Sequence, residues 1–481
     1  MKILAHAPFI GTTGYANHAR SFFCALNKYH TVKVRNLTIG NSWKGMNNRP
    51  HDGEPYFTKE IGDMLILQTL NKADGNGRVD EPMYDYKCDF VPDVHIVLME
   101  TNNHYFFDDY VGYKIAYNVW ESTRYPDDFF NQLLKFDEMW VPTQWQFDCL
   151  VEQGYPKEKI FIVPEGVDVD IFKPIKKYPE RDKIQFVHFG RWDYRKGTTE
   201  VLQAFAEEFK DVDDVELIAS VENPYPYDGL KSTEERITHH NIDTKNIKFV
   251  KFPPRKDYVK YLQEAHVFVS CARSEGWNLP LIEAMACGTP SIYSNWGGQL
   301  QFAQGKGIPV EIKSLRPANI EHKEFPGEYC EPDWEDLKFK MRQAYDYNTA
   351  MWVTARGDAK NIHEKFNWDT VAKGACEILE RNKKPFAFVT TGNLSYMPVI
   401  EKLVQSLLEF SEQKILVYGI DCEVPFDYPN IIKRTITVPK ISEHDKWYWK
   451  QWSCIEALKE DFENFVWVDG DVVVNHNIDN I

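Results

Sequence analysis

The stretch from residue 266 to residue 290 constrains the fold most strongly, because it encodes a strand, a loop and a helix with both ends marked. His266–Cys271 is a short apolar run rich in Val and Phe, which predicts a buried strand. Asn278 is placed to cap the following helix, and Pro280 lies in the first turn, where its missing N–H costs nothing. Gly288 ends the helix and Pro290 prevents its continuation. A helix N-terminus must therefore follow closely after a buried strand.

Two glutamates border this helix N-terminus. Glu275 lies in the loop before the helix, and Glu283 lies about one turn inside it. The exposed N–H groups and the dipole of a helix N-terminus favour phosphate. Carboxylates beside such an anion site are suited to accept hydrogen bonds from sugar hydroxyls. The alternative is that both glutamates are ordinary charges on a loop and a helix surface.

A second strand-to-helix turn carries two cations. The apolar run Ile184–Phe189 predicts a strand, and a helix is expected from about Thr198 to Phe209. Between them, Arg191 and Lys196 lie five residues apart, with Gly190 before them and Gly197 after them. Such a turn can aim both cations at one point, as a departing diphosphate requires. The alternative is a pair of solvated loop charges.

Strand and helix patterns alternate through the first 380 residues, which predicts open parallel sheets. Further predicted strands are Val94–Met99, Lys114–Val119, Glu138–Val141, Val215–Ser220 and Ile247–Lys251. After the first strand, Gly11 and Gly14 precede a helix from about Ala16 to Asn27. Glycines at such a turn let the backbone approach a ligand, although a simple tight turn fits equally well.

The pattern Glu275-x7-Glu283, with Gly276 after the first Glu, then Leu-Pro and later Gly-Thr-Pro, resembles the donor-site motif of family-4-like retaining glycosyltransferases. The resemblance covers about residues 1–382 and implies the α/β GT-B fold, in which two Rossmann-like domains face a cleft. The implied domains are an acceptor-side domain at 1–170 and a nucleotide-sugar donor domain at 171–365. A terminal helix at about 366–382, capped by Asn367 or Asp369, is expected to return to the first domain.

The resemblance also implies roles for individual residues. Arg191 and Lys196 would bind the diphosphate, Glu283 the ribose hydroxyls and Glu275 the donor sugar. Further donor contacts are implied at Gly11, Gly14, Gly190, Gly276, Trp277, Asn278 and Leu279. This half needs no metal in that scheme. Many relatives carry a His after the strand Lys114–Val119, and here Glu121 is the expected substitute, with a structural Glu as the alternative.

A further module is expected at residues 384–481. Its predicted elements are strand Phe386–Thr391, helix Ser395–Phe410, strand Lys414–Tyr418, a helix at about Lys446–Leu458 and strand Phe465–Val468. Asp469-Gly470-Asp471 follows the last strand and resembles the Asp-x-Asp metal site of GT-A glycosyltransferases, although Asp-Gly-Asp is also an ordinary turn. Paired carboxylates there can hold Mg²⁺ or Mn²⁺. The length predicts a partial GT-A-like module that performs no second transfer.

Composition limits the partners and the compartment. The formal net charge of −16 over 481 residues argues against nucleic acid as the main partner. No apolar run approaches the ~20 residues of a membrane span. Nine cysteines without a Cys-x-x-Cys pair favour a reduced cytoplasmic protein without a zinc site. We therefore expect a glycosyltransferase that uses a nucleoside diphosphate sugar and a glycan or other hydroxyl acceptor. The alternatives are a phosphorylase or epimerase of the same fold, or a non-catalytic sugar-binding or scaffold protein.

Overall fold

The computed structural model describes residues 1–9, 13–37, 59–65, 90, 92–99, 113–223, 229–320, 325–381, 386–411, 413–437, 450, 453–454, 456–457 and 464–469. These residues divide into two units. The larger comprises residues 3–87 and 95–375, and the smaller comprises residues 1–2, 88–94 and 376–481. Within the described ranges, no helix combines the length and the apolar character that crossing a membrane requires.

The first sheet has six described strands, in the order β2-β1-β3-β4-β5-β6. They are β1 (Lys2–Ala7), β2 (Thr31–Asn36), β3 (Val94–Leu98), β4 (Tyr113–Tyr117), β5 (Glu138–Val141) and β6 (Ile160–Ile162). The helices between them are α1 (Gly14–Leu26), α2 (Lys59–Met64), α3 (Asp127–Leu133) and α4 (Gln144–Gln153). Strand β5 pairs in parallel with β4 and β6, as predicted for an open parallel sheet. Strand β4 ends at Tyr117, so Glu121 lies in a loop beyond the predicted strand.

The second sheet also has six described strands, and all its neighbouring pairs are parallel. Its order is β9-β8-β7-β10-β11-β12, built from β7 (Ile184–Phe189), β8 (Val215–Ser220), β9 (Ile247–Phe249), β10 (Val267–Ser270), β11 (Ser291–Ser294) and β12 (Ile308–Val310). Strands β7 and β10 are neighbours although about 80 residues separate them. The strand order reverses at this pair, and open α/β sheets bind ligands at the carboxyl ends of such strands.

Helices and one hairpin complete this half of the larger unit. The helices are α5 (Thr198–Glu208), α6 (Thr233–His239), α7 (Arg255–Glu264), α8 (Leu279–Ala286), α9 (Leu300–Ala303), α10 (Trp334–Asp346) and α11 (Asn348–Lys365). An antiparallel hairpin, β13 (Ile312–Pro317) and β14 (Glu328–Pro332), lies between β12 and α10 and was not predicted. Apolar side chains of the sheet and of α5 and α10 form a continuous buried core.

Helix α12 (Trp368–Arg381) begins where the sequence predicts a terminal helix. The Asn367 side chain caps it by accepting a hydrogen bond from the Thr370 N–H at 2.9 Å. Asp369 instead accepts a hydrogen bond from the Tyr29 hydroxyl at 2.8 Å, and Tyr29 follows α1 of the first half. The start of α12 therefore contacts the first Rossmann-like half.

The smaller unit contains a four-stranded parallel sheet in the order β17-β16-β15-β18. Its described elements are β15 (Phe386–Gly392), α13 (Met397–Phe410), β16 (Lys414–Ile420), β17 (Ile431–Ile436) and β18 (Asn464–Trp467). One face of the sheet packs on α13 through buried apolar side chains. Asp471 and most of the helix predicted at about 446–458 lie outside the described residues. The likeness to GT-A enzymes stays a prediction.

Candidate active site

Two loops meet at the carboxyl ends of β7 and β10. The Arg273 N–H donates to the Arg195 carbonyl at 2.7 Å, and the Arg195 guanidinium donates to the Ser274 carbonyl at 2.7 Å. The Arg273 guanidinium also donates to the Tyr194 carbonyl at 2.7 Å. Because each loop donates to the other, the loop after β7 and the loop after β10 form one continuous surface. This surface carries the charged residues that the sequence singled out.

The buried side chain of Arg273 stabilises these two loops. Its side chain is 4% exposed and forms ion pairs with Glu200 at 2.6 Å and Glu331 at 3.1 Å. Its guanidinium also lies 3.8 Å from the centre of the Tyr194 ring. A buried charge persists where it is paired and hydrogen-bonded. Arg273 therefore has a structural role in fixing both loops.

Glu275 is held by two cations from the loop after β7. The Lys196 ammonium lies 2.5 Å from one carboxylate oxygen, and the Arg195 guanidinium lies 3.2 Å from the other. The Glu275 side chain is only 4% exposed, so water screens these contacts poorly. The structure thus brings together Glu275 and Lys196, which the sequence proposed for one site. Arg195 was missed, since adjacency to Lys196 was its sole signal in the sequence.

Arg191 occupies the outer part of the same loop. Its guanidinium lies 2.6 Å from Asp193, and the second Asp193 oxygen accepts a hydrogen bond from the Lys196 N–H at 2.8 Å. Burial by itself would raise the pKa of Asp193, but the charges of Arg195, Arg191 and Lys196 together hold it below its ordinary value. An ionised Asp193 therefore keeps the loop folded around its cations. Arg191 is more exposed than Lys196 or Arg195.

Two glycines shape this loop. A Cβ at Gly190 would lie 4.0 Å from the Lys196 side chain, which is ordinary contact, so Gly190 lies beside the aliphatic stem of that lysine. Gly197 has a φ of +64°, and a Cβ there would lie 2.7 Å from the Cys271 carbonyl oxygen. The close approach of the two loops therefore requires glycine at 197.

The loop after β10 leads directly into the N-terminus of α8, which is the next part of the candidate site. The Asn278 side chain accepts a hydrogen bond from the Leu281 N–H at 3.3 Å, which confirms the predicted cap. Its amide also donates to Ser270 at 3.0 Å and to Gln299 at 2.8 Å. The positive φ of +84° at Asn278 is thus held by three hydrogen bonds.

The residues around this cap do not all face the same way. The Trp277 ring is 1% exposed and packs in the core 5.0 Å from the Phe302 ring, so only its backbone is available for the predicted donor contact. Leu279, in contrast, reaches toward Gly14, where a Cβ would lie 3.6 Å from its side chain. The N-termini of α1 and α8 therefore face each other. Gly11 lies outside the described residues.

Glu283 lies further along α8 and accepts a hydrogen bond from the Tyr258 hydroxyl at 2.5 Å. Burial raises the pKa of Glu283 to about 7, and the charge of Asp168 adds to this effect. The Tyr258 hydrogen bond and the charge of Arg255 oppose it. Tyr258, on α7, was missed because nothing in the local sequence indicates that it reaches α8.

Glu121 lies in the loop after β4 of the first sheet and contacts the loops after β7 and β10. Its carboxylate lies 3.1 Å from the Arg195 guanidinium, and its carbonyl accepts a hydrogen bond from the Ser274 hydroxyl. A Cβ at Gly276 would lie 2.5 Å from the Trp120 carbonyl oxygen, so only glycine permits this approach. Arg195 therefore bridges Glu121 and Glu275. The Glu121 side chain is 44% exposed, which leaves it accessible to a ligand.

Glu165 is a buried acid in the linker between the two sheets. Burial and, to a smaller extent, the charges of Glu275, Glu283 and Glu121 together raise the pKa of Glu165 to about 8. Its carboxyl group lies 3.2 Å from His18 of α1, whose pKa burial lowers to about 3. Glu165 belongs to the Pro-Glu-Gly-Val-Asp turn at residues 164–168, which follows the last strand of the first sheet. The proximity of Glu165 to the site depends on the tertiary structure.

Asp469 lies in the smaller unit, two residues after the end of β18. One of its carboxylate oxygens accepts a hydrogen bond from the Trp467 indole N–H at 2.8 Å. The described residues contain no group of three or more His, Cys, Asp or Glu side chains that could hold a metal ion. Its predicted partner, Asp471, lies outside those residues. The metal site of this module remains a prediction.

The central part of the chain is similar to known proteins. A family model described as glycosyl transferases group 1 matches residues 170–307. A probable sucrose-phosphate synthase from Thermosipho melanesiensis is 26% identical over 234 residues, covering 47% of this chain and 49% of that protein. A D-inositol 3-phosphate glycosyltransferase from Segniliparus rotundus is 32% identical over 152 residues, covering 29% of this chain and 33% of that protein. The chain thus spans about half or less of the length of these curated relatives.

The fold is shared with solved structures. The crystal structure of Anabaena Alr3699/HepE in complex with UDP-glucose matches with a TM-score of 0.59 at 13% identity, covering 79% of this chain and 100% of that one. At this identity the likeness concerns the fold alone, and it confirms the predicted GT-B arrangement of Rossmann-like domains. The matched segment 170–307 contains Arg191, Lys196, Glu275 and Glu283. Residues 170–307 are therefore similar to the group 1 glycosyltransferases.

Proposed function

We propose that this protein is a retaining glycosyltransferase that moves a sugar from a nucleoside diphosphate sugar to a hydroxyl acceptor. The observation that carries the proposal is the contact of Lys196 and Arg195 with Glu275 at the strand-order reversal of a group 1 glycosyltransferase domain. Ligands of open α/β sheets bind at this place. The UDP-glucose complex of the HepE structure supports the same donor class.

In the proposed complex, the diphosphate lies against Arg191, Lys196 and the N-terminus of α8. Its negative charge grows as the bond to the sugar breaks, and preorganised cations stabilise that charge most in the transition state. Without ligand, Lys196 and Arg191 are balanced by Glu275 and Asp193. The loop cations are thus oriented before the donor binds, and no metal is needed for this half.

The carboxylates would orient the sugar and the nucleoside. Glu275 accepts hydrogen bonds from hydroxyls of the donor sugar, and Glu283 accepts them from the ribose. The carboxylate of Glu121 faces the same sugar from the first sheet. The backbone around Gly14, Gly190, Gly276 and Asn278 lines the remaining walls.

Retention requires that the acceptor oxygen bonds to the anomeric carbon on the face from which the diphosphate leaves. The bond between that carbon and the phosphate oxygen breaks while the new glycosidic bond forms. The hydroxyl proton of the acceptor then passes to the departing diphosphate, which balances the reaction. In this step the protein contributes orientation and charge stabilisation.

Release of free nucleoside diphosphate from a panel of nucleotide sugars tests this proposal. We expect turnover with at least one donor in the presence of mono- and oligosaccharide acceptors, and loss of turnover in Lys196→Ala. The anomeric configuration of the product, read by NMR, tests retention. Thermal stabilisation by a nucleotide sugar without turnover would instead indicate a sugar-binding protein.

For the smaller unit, we propose a GT-A-like module that would bind Mg²⁺ or Mn²⁺ through Asp469 and Asp471. Support comes from the sheet order, since it reverses between β15 and β18, and open α/β sheets bind ligands at the carboxyl ends of strands at such a point. Asp469 supplies a carboxylate there, and oxygen ligands suit either ion. A bound ion would neutralise a diphosphate. The described cysteines are all free thiols, which supports a proposed location in the reducing cytoplasm.

A further inference from the structure

The β13–β14 hairpin joins the donor domain to the loop that carries Glu121. Near the tip of the hairpin, the Glu328 N–H donates to the Thr123 hydroxyl oxygen at 2.9 Å. The Ser122 hydroxyl shares its proton between the Arg124 carbonyl at 2.7 Å and the Pro326 carbonyl of the hairpin at 2.9 Å. The Phe325 ring lies edge-on to the Trp120 ring, with centroids 5.2 Å apart. These contacts flank Glu121 on both sides along the chain.

A glycine permits this contact. Gly327 has a φ of +87°, and a Cβ there would lie 2.7 Å from the Arg124 nitrogen and 2.8 Å from the Thr123 hydroxyl. Any other residue would be strained and would also displace the loop. The hairpin is therefore shaped to lie directly on residues 122–124.

The base of the hairpin contacts the loop after β10, which carries Glu275. The Cys330 N–H donates to the Arg273 carbonyl at 3.0 Å, and Glu331 pairs with the Arg273 guanidinium at 3.1 Å. Glu331 is in turn fixed by the Trp334 indole, which donates to it at 2.7 Å. One end of the hairpin thus holds the loop that carries Glu275, and the other end holds the loop that carries Glu121.

We propose that this hairpin is an interdomain strap that positions Glu121 against the donor sugar. Thr123 and Gly327 act through Glu121 and are positioning residues rather than catalytic residues. The inference rests on the proposed function. Its physical basis is that a displacement of about 1 Å in a positioned group can cost on the order of 100-fold in rate. Lys196 and Glu283, which would bind the nucleotide, are held by Glu275 and Tyr258, and neither partner belongs to the strap.

Three variants and a control test the strap with the nucleotide sugar that the wild-type protein turns over. Thr123→Val keeps the shape and removes the hydrogen-bond acceptor, Thr123→Ser restores it, and Gly327→Ala displaces the loop. Thr238→Val, on the exposed surface of α6, is the matched control. We expect kcat to fall about three- to tenfold in Thr123→Val, the factor expected for one hydrogen bond, and by on the order of 100-fold in Gly327→Ala.

The nucleoside diphosphate Kd, measured by calorimetry, should stay within about twofold of wild type in both variants, and Thr123→Ser should recover most of kcat. A normal kcat in Thr123→Val and Gly327→Ala would overturn the strap. A parallel loss of kcat, nucleotide affinity and Tm would reduce it to a structural role and also overturn it.

Amide hydrogen exchange separates this outcome from failure of the proposed function. We expect exchange in residues 118–126 to accelerate in Gly327→Ala, while exchange in α8 stays as in wild type. Suppose that exchange in residues 118–126 accelerates in Gly327→Ala but the wild-type protein turns over no nucleotide sugar. That result would refute the glycosyltransferase proposal and leave the strap as a structural contact without the proposed role. Unchanged exchange in an active protein would refute the strap alone.

Discussion

Replacing Glu165 by glutamine should stabilise the protein, and increasingly so as the pH rises. The pKa of Glu165 is raised from 4.5 to about 8, first by burial and then by the charges of Glu275, Glu283 and Glu121. The folded protein therefore keeps a proton that the unfolded chain releases. Stability from this proton is complete below pH 4.5 and is lost as the pH rises toward 8. Glutamine is neutral throughout and avoids the loss.

The size of the Glu165 pKa shift sets the expected change in the free energy of unfolding. Each pKa unit corresponds to about 1.4 kcal/mol, so the wild-type protein loses about 1 kcal/mol at pH 5.5 and between about 4 and 5 kcal/mol at pH 8.5. The advantage of Glu165→Gln should therefore grow by about 3 kcal/mol between these two pH values. The free energy of unfolding from urea denaturation at each pH measures it.

Glu158→Gln, at an exposed position, provides the control for loss of a carboxylate. Its effect on the free energy of unfolding should be small and similar at both pH values. If Glu165→Gln behaves like this control, water or a structural change relieves the burial of Glu165 and the reasoning fails. A variant that is less stable at both pH values would show that the carboxyl group makes a contact with His18 that the amide cannot replace.

Four further predictions concern the site. Lys196→Ala and Arg191→Ala should each lower kcat by on the order of 100-fold, equivalent to about 3 kcal/mol of transition-state stabilisation, with little change in Tm. Near-normal rates in both variants would contradict the assignment. Glu121→Gln should depress sugar transfer more than nucleotide binding, and normal transfer would make the residue structural. Because the pKa of Glu283 is about 7 and its ionised form is the better acceptor for ribose hydroxyls, nucleotide affinity should rise from pH 6 to pH 8. Calorimetry should show this rise in wild type, and a similar rise in Glu283→Gln would exclude Glu283 as its source. Asp469→Ala should leave the donor turnover of the larger unit unchanged, and a metal-dependent turnover that disappears in this variant would refute that expectation.

The sequence alone determined the elements whose signals are local. Strands Ile184–Phe189 and Val215–Ser220 have the predicted bounds, and the Asn278 cap forms as expected. These features depend on apolar runs and on side chains that bond a few residues away. The resemblance to glycosyltransferases likewise depended on a short motif; residues 170–307 match the group 1 model, and the solved structure confirms the fold alone.

The tertiary structure decided what depends on residues far apart in the chain. Arg195 joins Glu121 to Glu275 across sequence separations of 74 and 80 residues, and Tyr258 reaches Glu283 from another helix. The Trp277 ring is buried in the core, and burial raises the pKa of Glu165 so that its carboxyl group stays protonated at neutral pH. Burial and ion pairing are sums over neighbours from several elements, so no local pattern encodes them. Only the packing of the two sheets brings those neighbours together.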